Sequence, residues 1–181
     1  MAGRTGGRQC GTTASRSGAG ADWRGVQGTE VAVDRFTWRV PTPHGPVDAV
    51  QDGECVYTSG PGVPGAVIHV RPVPSLPALR NGVEARMGTT PIRIWRPRYG
   101  LRRRERTVLL EGSGISWCAD LEGPGRWSLR RQRDGSTVVT TDRRRHDFDP
   151  GASPADVSLA AAVIRSGLVE TSSLLAFVSL P

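Results

Sequence analysis

The chain has 181 residues, enough for one domain with a sizeable core. All 24 of its cationic side chains are arginines, set against 17 carboxylates for a net charge of +7. Three cysteines, Cys10, Cys55 and Cys118, show no CxxC spacing. That excludes a disulfide framework and a cysteine-based zinc site, and it fits a reducing cytoplasm.

The use of arginine alone has two origins that are compatible. A GC-rich coding sequence selects arginine over lysine codons. Guanidinium also binds phosphate oxygens bidentately, so a net positive sum favours phosphate-bearing partners.

Residues 1–30 are rich in Gly, Ser, Thr and Arg and show no apolar periodicity. They cannot bury enough surface to offset the entropy of ordering, which predicts a disordered extension. The alternative is a misplaced start, with Val31 or Val33 as the true first codon. No apolar core of a secretory signal is present in this stretch. Residues 31–181 are then one β-rich domain ending in a core helix.

From Asp34 onward the texture is β. Val47–Val50 and Glu54–Thr58 flank an Asp52-Gly53 turn. Ala66–Arg71 is the next strand candidate, with prolines on both sides that favour loops or an edge position. Thr90–Trp95 alternates, with Ile92 and Ile94 on one face and Arg93 on the other. Arg106–Glu111 and Gly114–Asp120 give two further strands. Arg126–Gln132 and Ser136–Thr141 form the clearest hairpin around Asp134-Gly135. Short strands at regular spacing predict an antiparallel β-barrel or sandwich rather than a βαβ sheet.

The helix that follows has strong start and stop signals. Ser153 is the N-cap, Pro154 suits the first helical position, and Asp156 completes a near capping box. Gly167 ends it as a left-handed cap. Val157, Leu159 to Ile164 cover nearly its whole circumference, so it is buried in a core or in a membrane. Arg165, Gly167, Glu170 and Thr171-Ser172-Ser173 interrupt the apolar run before the roughly 20 residues a span requires. A buried core helix is the better reading. Thr171 is placed to cap a second short helix, 172–177.

Many short antiparallel strands followed by one hydrophobic helix, SPADVSLAAAVIRSGLVETSSLLAFVSLP, resemble the tubby-like group with its LURP-one-related and phospholipid-scramblase-like members. The resemblance spans about Asp34 to Pro181 and rests on layout and texture. It implies a closed β-barrel around a buried C-terminal helix, and a non-enzymatic protein that binds anionic lipid headgroups. The strands here are shorter and more proline-interrupted, and a cysteine-rich acylation run and an acidic calcium loop are both missing. No family site residue transfers to this sequence.

The strongest chemical cluster is Arg96, Arg98, Arg102, Arg103, Arg104 and Arg106, with Trp95 and Tyr99 beside them. As a loop between strands it supplies phosphate or headgroup contacts, or, with the two aromatics stacking on bases, nucleic-acid contacts. The plainer alternative is a solvated, solubilising loop. A second basic group, Arg143-Arg144-Arg145-His146, follows Arg130, Arg131 and Arg133 by one hairpin. Asp134, Asp142, Asp147 and Asp149 offset it.

His146-Asp147-Phe148-Asp149 reads as a polar turn before the helix cap rather than a metal or acid–base site, because a metal needs three or four convergent ligands. Cys118 has no base near it in sequence, so Ser116-Trp117-Cys118 reads as packing. No acid, base, nucleophile or metal set converges, and neither an enzyme nor a cofactor is expected. The expected function is a cytoplasmic, non-catalytic binding module, extended to a peripheral position at the membrane, with anionic lipid headgroups as first ligand. Nucleic acid is the alternative partner, and a protein docked on the apolar tail Leu174–Leu180 is a third.

Overall fold

The computed structural model describes residues 36–70, 76–97 and 107–170. Residues 1–30, the tail Leu174–Leu180 and the expected second helix therefore lie outside the described residues. Those that are described belong to one unit, Asp34–Pro181.

Eleven strands follow one another around a single antiparallel sheet in sequence order. They are β1 (Phe36–Val40), β2 (Val47–Asp52), β3 (Cys55–Ser59), β4 (Ala66–His69), β5 (Val83–Met87), β6 (Thr90–Trp95), β7 (Thr107–Gly112), β8 (Ile115–Gly123), β9 (Arg126–Arg131), β10 (Thr137–Asp142) and β11 (Arg145–Phe148). A short helix α1 (Leu76–Asn81) joins β4 to β5, and α2 (Pro154–Ser166) follows β11. The fold is thus mostly antiparallel β with a C-terminal helix. Strands such as Thr90–Trp95 and Thr137–Asp142 fall where the sequence places them, whereas β1 had not been singled out. β5, with Val83, Ala85 and Met87 buried and Glu84 and Arg86 exposed, alternates but was not singled out either.

His146-Asp147-Phe148 is a correction. It forms β11 rather than a turn, because Val139, Thr140 and Thr141 of β10 supply it with ladder partners (Val139↔Phe148, Thr140↔Asp147, Thr141↔His146). The turn itself falls at Arg143-Arg144, and a local sequence of arginines and aspartates carries no sign of this long-range pairing.

One face of the sheet holds the core. Val40, Val47, Ala49, Val56, Ile68, Ile94, Leu110, Trp117, Trp127 and Leu129 are buried there, and α2 lies against β2, β3, β4, β5 and β10. A helix touching β2 and β10 spans sequence-distant strands, so the sheet curls around it. Its two edges also meet: Trp38 of β1 and His146 of β11 pack edge to face with ring centroids 5.3 Å apart. Among the described residues no ladder joins β1 to β11, so the sheet is not closed by hydrogen bonds.

Close approach of α2 follows from its composition. Ala160, Ala161 and Ala162 are fully buried, and small residues face it on the strands at Ala49, Ala66 and Ala85. Its start is as the sequence specifies: Asp156 N–H donates to Ser153 Oγ at 3.3 Å and Ser153 N–H to Asp156 Oδ2 at 3.1 Å, a complete capping box. Gly167 ends it at φ +63°, its N–H bonded to the Ile164 carbonyl.

In a strictly up-and-down sheet, connections alternate between two ends. β1–β2, β3–β4, β5–β6, β7–β8 and β9–β10 turn at the end where α2 starts, here the proximal end. β2–β3, β4–β5, β6–β7, β8–β9 and β10–β11 turn at the end where α2 finishes, the distal end.

Candidate functional site

Topology fixes where the first basic connection leaves and rejoins the sheet, and where the second basic cluster lies. β6 leaves the sheet at Trp95 and β7 re-enters at Thr107, so the arginine-rich connection begins and ends at the distal end. The β10–β11 hairpin, with Arg143, Arg144 and Arg145, turns there too. So does the β8–β9 hairpin, which brings Arg126. Arg80 in the last turn of α1 and Arg165 in the last turn of α2 add to the same end.

The individual residues behave differently. Arg98, Tyr99, Arg102, Arg103, Arg104 and Arg106 lie outside the described residues. Arg96 is drawn inward: it is only 2% exposed, and its N–H donates to the Leu79 carbonyl at 3.0 Å. It therefore belongs to the packed base of the loop and not to an exposed phosphate grip. Trp95 is half-buried, and the Arg93 guanidinium lies over its ring, 5.7 Å from the centroid.

The Arg143-Arg144-Arg145 triplet is exposed, and among the described residues none of the three makes an ion pair. Arg143 has φ +55°, the left-handed region that favours glycine. It is held there by its neighbour hairpin: Arg143 N–H donates to the Gly125 carbonyl at 2.6 Å. A Cβ on Gly125 would come within 3.3 Å of Arg143 Cγ, so only glycine permits this approach without a shift.

Arg130 and Arg131, grouped with this triplet on sequence grounds, separate from it. Arg131 lies at the proximal end, where it donates to Asp156 and pairs with Asp134. Asp156 also accepts from Trp117 Nε1 at 2.8 Å and from Ser153 Oγ at 2.5 Å. Burial pushes the Asp156 carboxyl up, but its hydrogen bonds from Arg131, Ser153 and Trp117 outweigh this and hold it below the usual carboxylate range. This network fastens α2 to β8 and β9 and is structural.

A groove of about 290 Å³ opens at the distal end between the two sheet edges and the end of α2. Trp38 and His146 are among its lining residues, along with Arg143, Arg144, Arg165 and Glu170. Burial lowers the His146 pKa against a smaller opposing pull from Asp147, so the ring is neutral near pH 7. His146 Nδ1 lies 3.4 Å from Thr141 Oγ1. Burial raises the Glu170 carboxyl. The sequence offered Arg165 and Glu170 only as interruptions of an apolar run. A charge in the last turn of a buried helix and another just past its glycine cap were the available signal.

Other chemistry-bearing residues do not assemble. Cys118 is half-buried, and burial raises its thiol pKa, which favours the protonated form near neutral pH. Cys55 Sγ lies 3.6 Å from His69 Nδ1, but Cys55 is buried. Among the described residues no group of three or more His, Cys, Asp or Glu is placed to hold a metal ion. No helix among them is long and apolar enough to cross a membrane.

Comparison with protein-family models, with curated proteins and with solved structures gave no match.

Proposed function

We propose that this protein is a non-catalytic binding module that presents the distal, arginine-bearing end of its sheet to phosphate-bearing partners, anionic lipid headgroups first. One observation supports this: among the described residues, the β6–β7 connection leaves and rejoins the sheet at the end that also carries the Arg143–Arg145 hairpin. Two clusters that are about 40 positions apart in sequence then act as one field. Clustered guanidinium groups at a membrane surface each add about 1 kcal/mol of attraction to an anionic leaflet.

The curled sheet is the rigid support for that end. We take it as a barrel left unzipped between β1 and β11, with the Trp38–His146 contact as its clasp, in keeping with the layout of the tubby-like group. The protein works on the cytoplasmic side, peripherally at the membrane. Nucleic acid is the less favoured partner, because Arg93 already occupies the Trp95 ring that would stack on a base.

The test is co-sedimentation of the full chain with vesicles of anionic or neutral lipid, beside binding to single- and double-stranded DNA, over a salt series. The expected result is binding to anionic vesicles that falls steeply with salt and weakens when Arg102, Arg103 and Arg104, or Arg143, Arg144 and Arg145, become Ala. Binding that ignores both triplets overturns it, and stronger binding to DNA than to vesicles transfers the site to nucleic acid.

A further inference from the structure

We propose that the groove between the sheet edges and the end of α2 is a discrete site for one phosphomonoester, with Arg143 and Arg144 holding the phosphate and Trp38 and His146 walling its organic part. This deepens the reading above and rests on it.

Size is the first argument. At about 290 Å³ the groove lies at the lower edge of the size of small-molecule sites, about 300 Å³, which suits a headgroup or a small metabolite. The second is charge. Arg143 and Arg144 reach the groove without a carboxylate partner among the described residues, whereas Arg126, Arg131 and Arg39 are each paired with an aspartate. Glu170 lines the same groove but forms no ion pair with either among the described residues, and guanidinium groups not held in an ion pair are available for bidentate contact with phosphate oxygens.

The third argument is backbone strain. A two-residue hairpin turn that needs positive φ ordinarily takes Gly, Asn or Asp. Arginine at φ +55° is a poor choice for folding, and such outliers gather where the side chain has a task. The contact with Gly125 fixes this backbone from outside, so the strained turn is held by the adjoining hairpin.

Glu170 sets the polarity of the site. Protonated, it donates a hydrogen bond to an anion; ionised, it repels one. The charged groups facing it across the groove are Arg143 and Arg144 from the hairpin and Arg165 from α2, with His146 from β11 as the titratable neighbour. Glu170→Gln keeps the donor and removes the repulsion.

The experiment is calorimetric titration of the full chain with glycerol 3-phosphate, alongside phosphatidic acid vesicles, using the native chain and the variants Arg143→Gly, Arg144→Ala and Glu170→Gln. Glycerol 3-phosphate is expected to bind at one site per chain. Arg143→Gly relieves the turn, so its melting temperature holds or rises while affinity falls about tenfold or more, the loss of a charge-assisted hydrogen bond. Glu170→Gln is expected to tighten binding. Binding of glycerol 3-phosphate without binding of vesicles supports the groove and assigns it a soluble ligand. Vesicle binding without any binding of glycerol 3-phosphate overturns the groove while leaving the membrane reading intact. An unchanged affinity in a folded Arg143→Gly protein also overturns it.

Discussion

Asp156 shows how much one residue can do when its neighbours come from three elements. It is the third helical residue of α2, and it accepts from Ser153 in its own cap, Trp117 of β8 and Arg131 of β9. Its side chain is only 3% exposed. The folded pKa lies below the unfolded value of about 3.9. Its contribution is therefore complete above the unfolded pKa and is lost as pH falls through the folded one. Asp156→Asn is expected to cost about 1–3 kcal/mol at neutral pH. It should also flatten the acid limb of a denaturant-midpoint series taken between neutral pH and pH about 2. The capping role of Asp156 was readable from Ser153-Pro154-Ala155-Asp156, because a capping box is local. The partners Trp117 and Arg131 were not, because nothing local records which strands pass a helix N-terminus.

At the scale of elements, α2 owes its position to what it lacks. Ala160, Ala161 and Ala162 leave no room for larger side chains between helix and sheet. Ala161→Leu is expected to destabilise by about 1–3 kcal/mol through overpacking, measured as a shift in urea midpoint with unchanged slope. One buried polar link supplements this packing. Ser158 Oγ and Thr58 Oγ1 lie 2.8 Å apart, and Thr58 Oγ1 also accepts the Ala66 N–H at 2.9 Å, which ties α2 to β3 and β4 together. The all-round apolar pattern of 157–164 placed this helix in an interior. Which strands enclose it depended on curl, and curl is a property of the whole sheet.

For the whole molecule the weak line is the seam. β1 and β11 each have one neighbour in the sheet, and their mutual contact is the Trp38–His146 ring pair rather than a ladder. Local opening follows low contact density. Amide exchange is therefore expected to be fastest in β1 and β11 and slowest in β6–β9. Trp38→Ala should speed exchange in β11 as well as β1, although the two are over 100 positions apart. A change confined to β1 would show that the edges are independent. The seam also borders the phosphomonoester groove, so the part of the fold closest to opening is the part offered to a ligand.

By itself the sequence determined the elements that rest on short-range physics. These are the alternating strands such as Thr90–Trp95, the hairpin at Asp134-Gly135, and the helix with Ser153 and Gly167 at its ends. It also determined the positive charge, which is a sum and needs no geometry. Only the tertiary structure decided where the individual arginines lie. Arg131 went to Asp156 at the proximal end, Arg96 went inward, and Arg143 and Arg144 came out beside Trp38 and Glu170. The reason is parity: each antiparallel turn reverses the chain, so whether two clusters share an end depends on how many strands lie between them. Four strands, β7 to β10, separate the start of the β6–β7 connection from the Arg143-Arg144 turn, and an even number returns the chain to the same end.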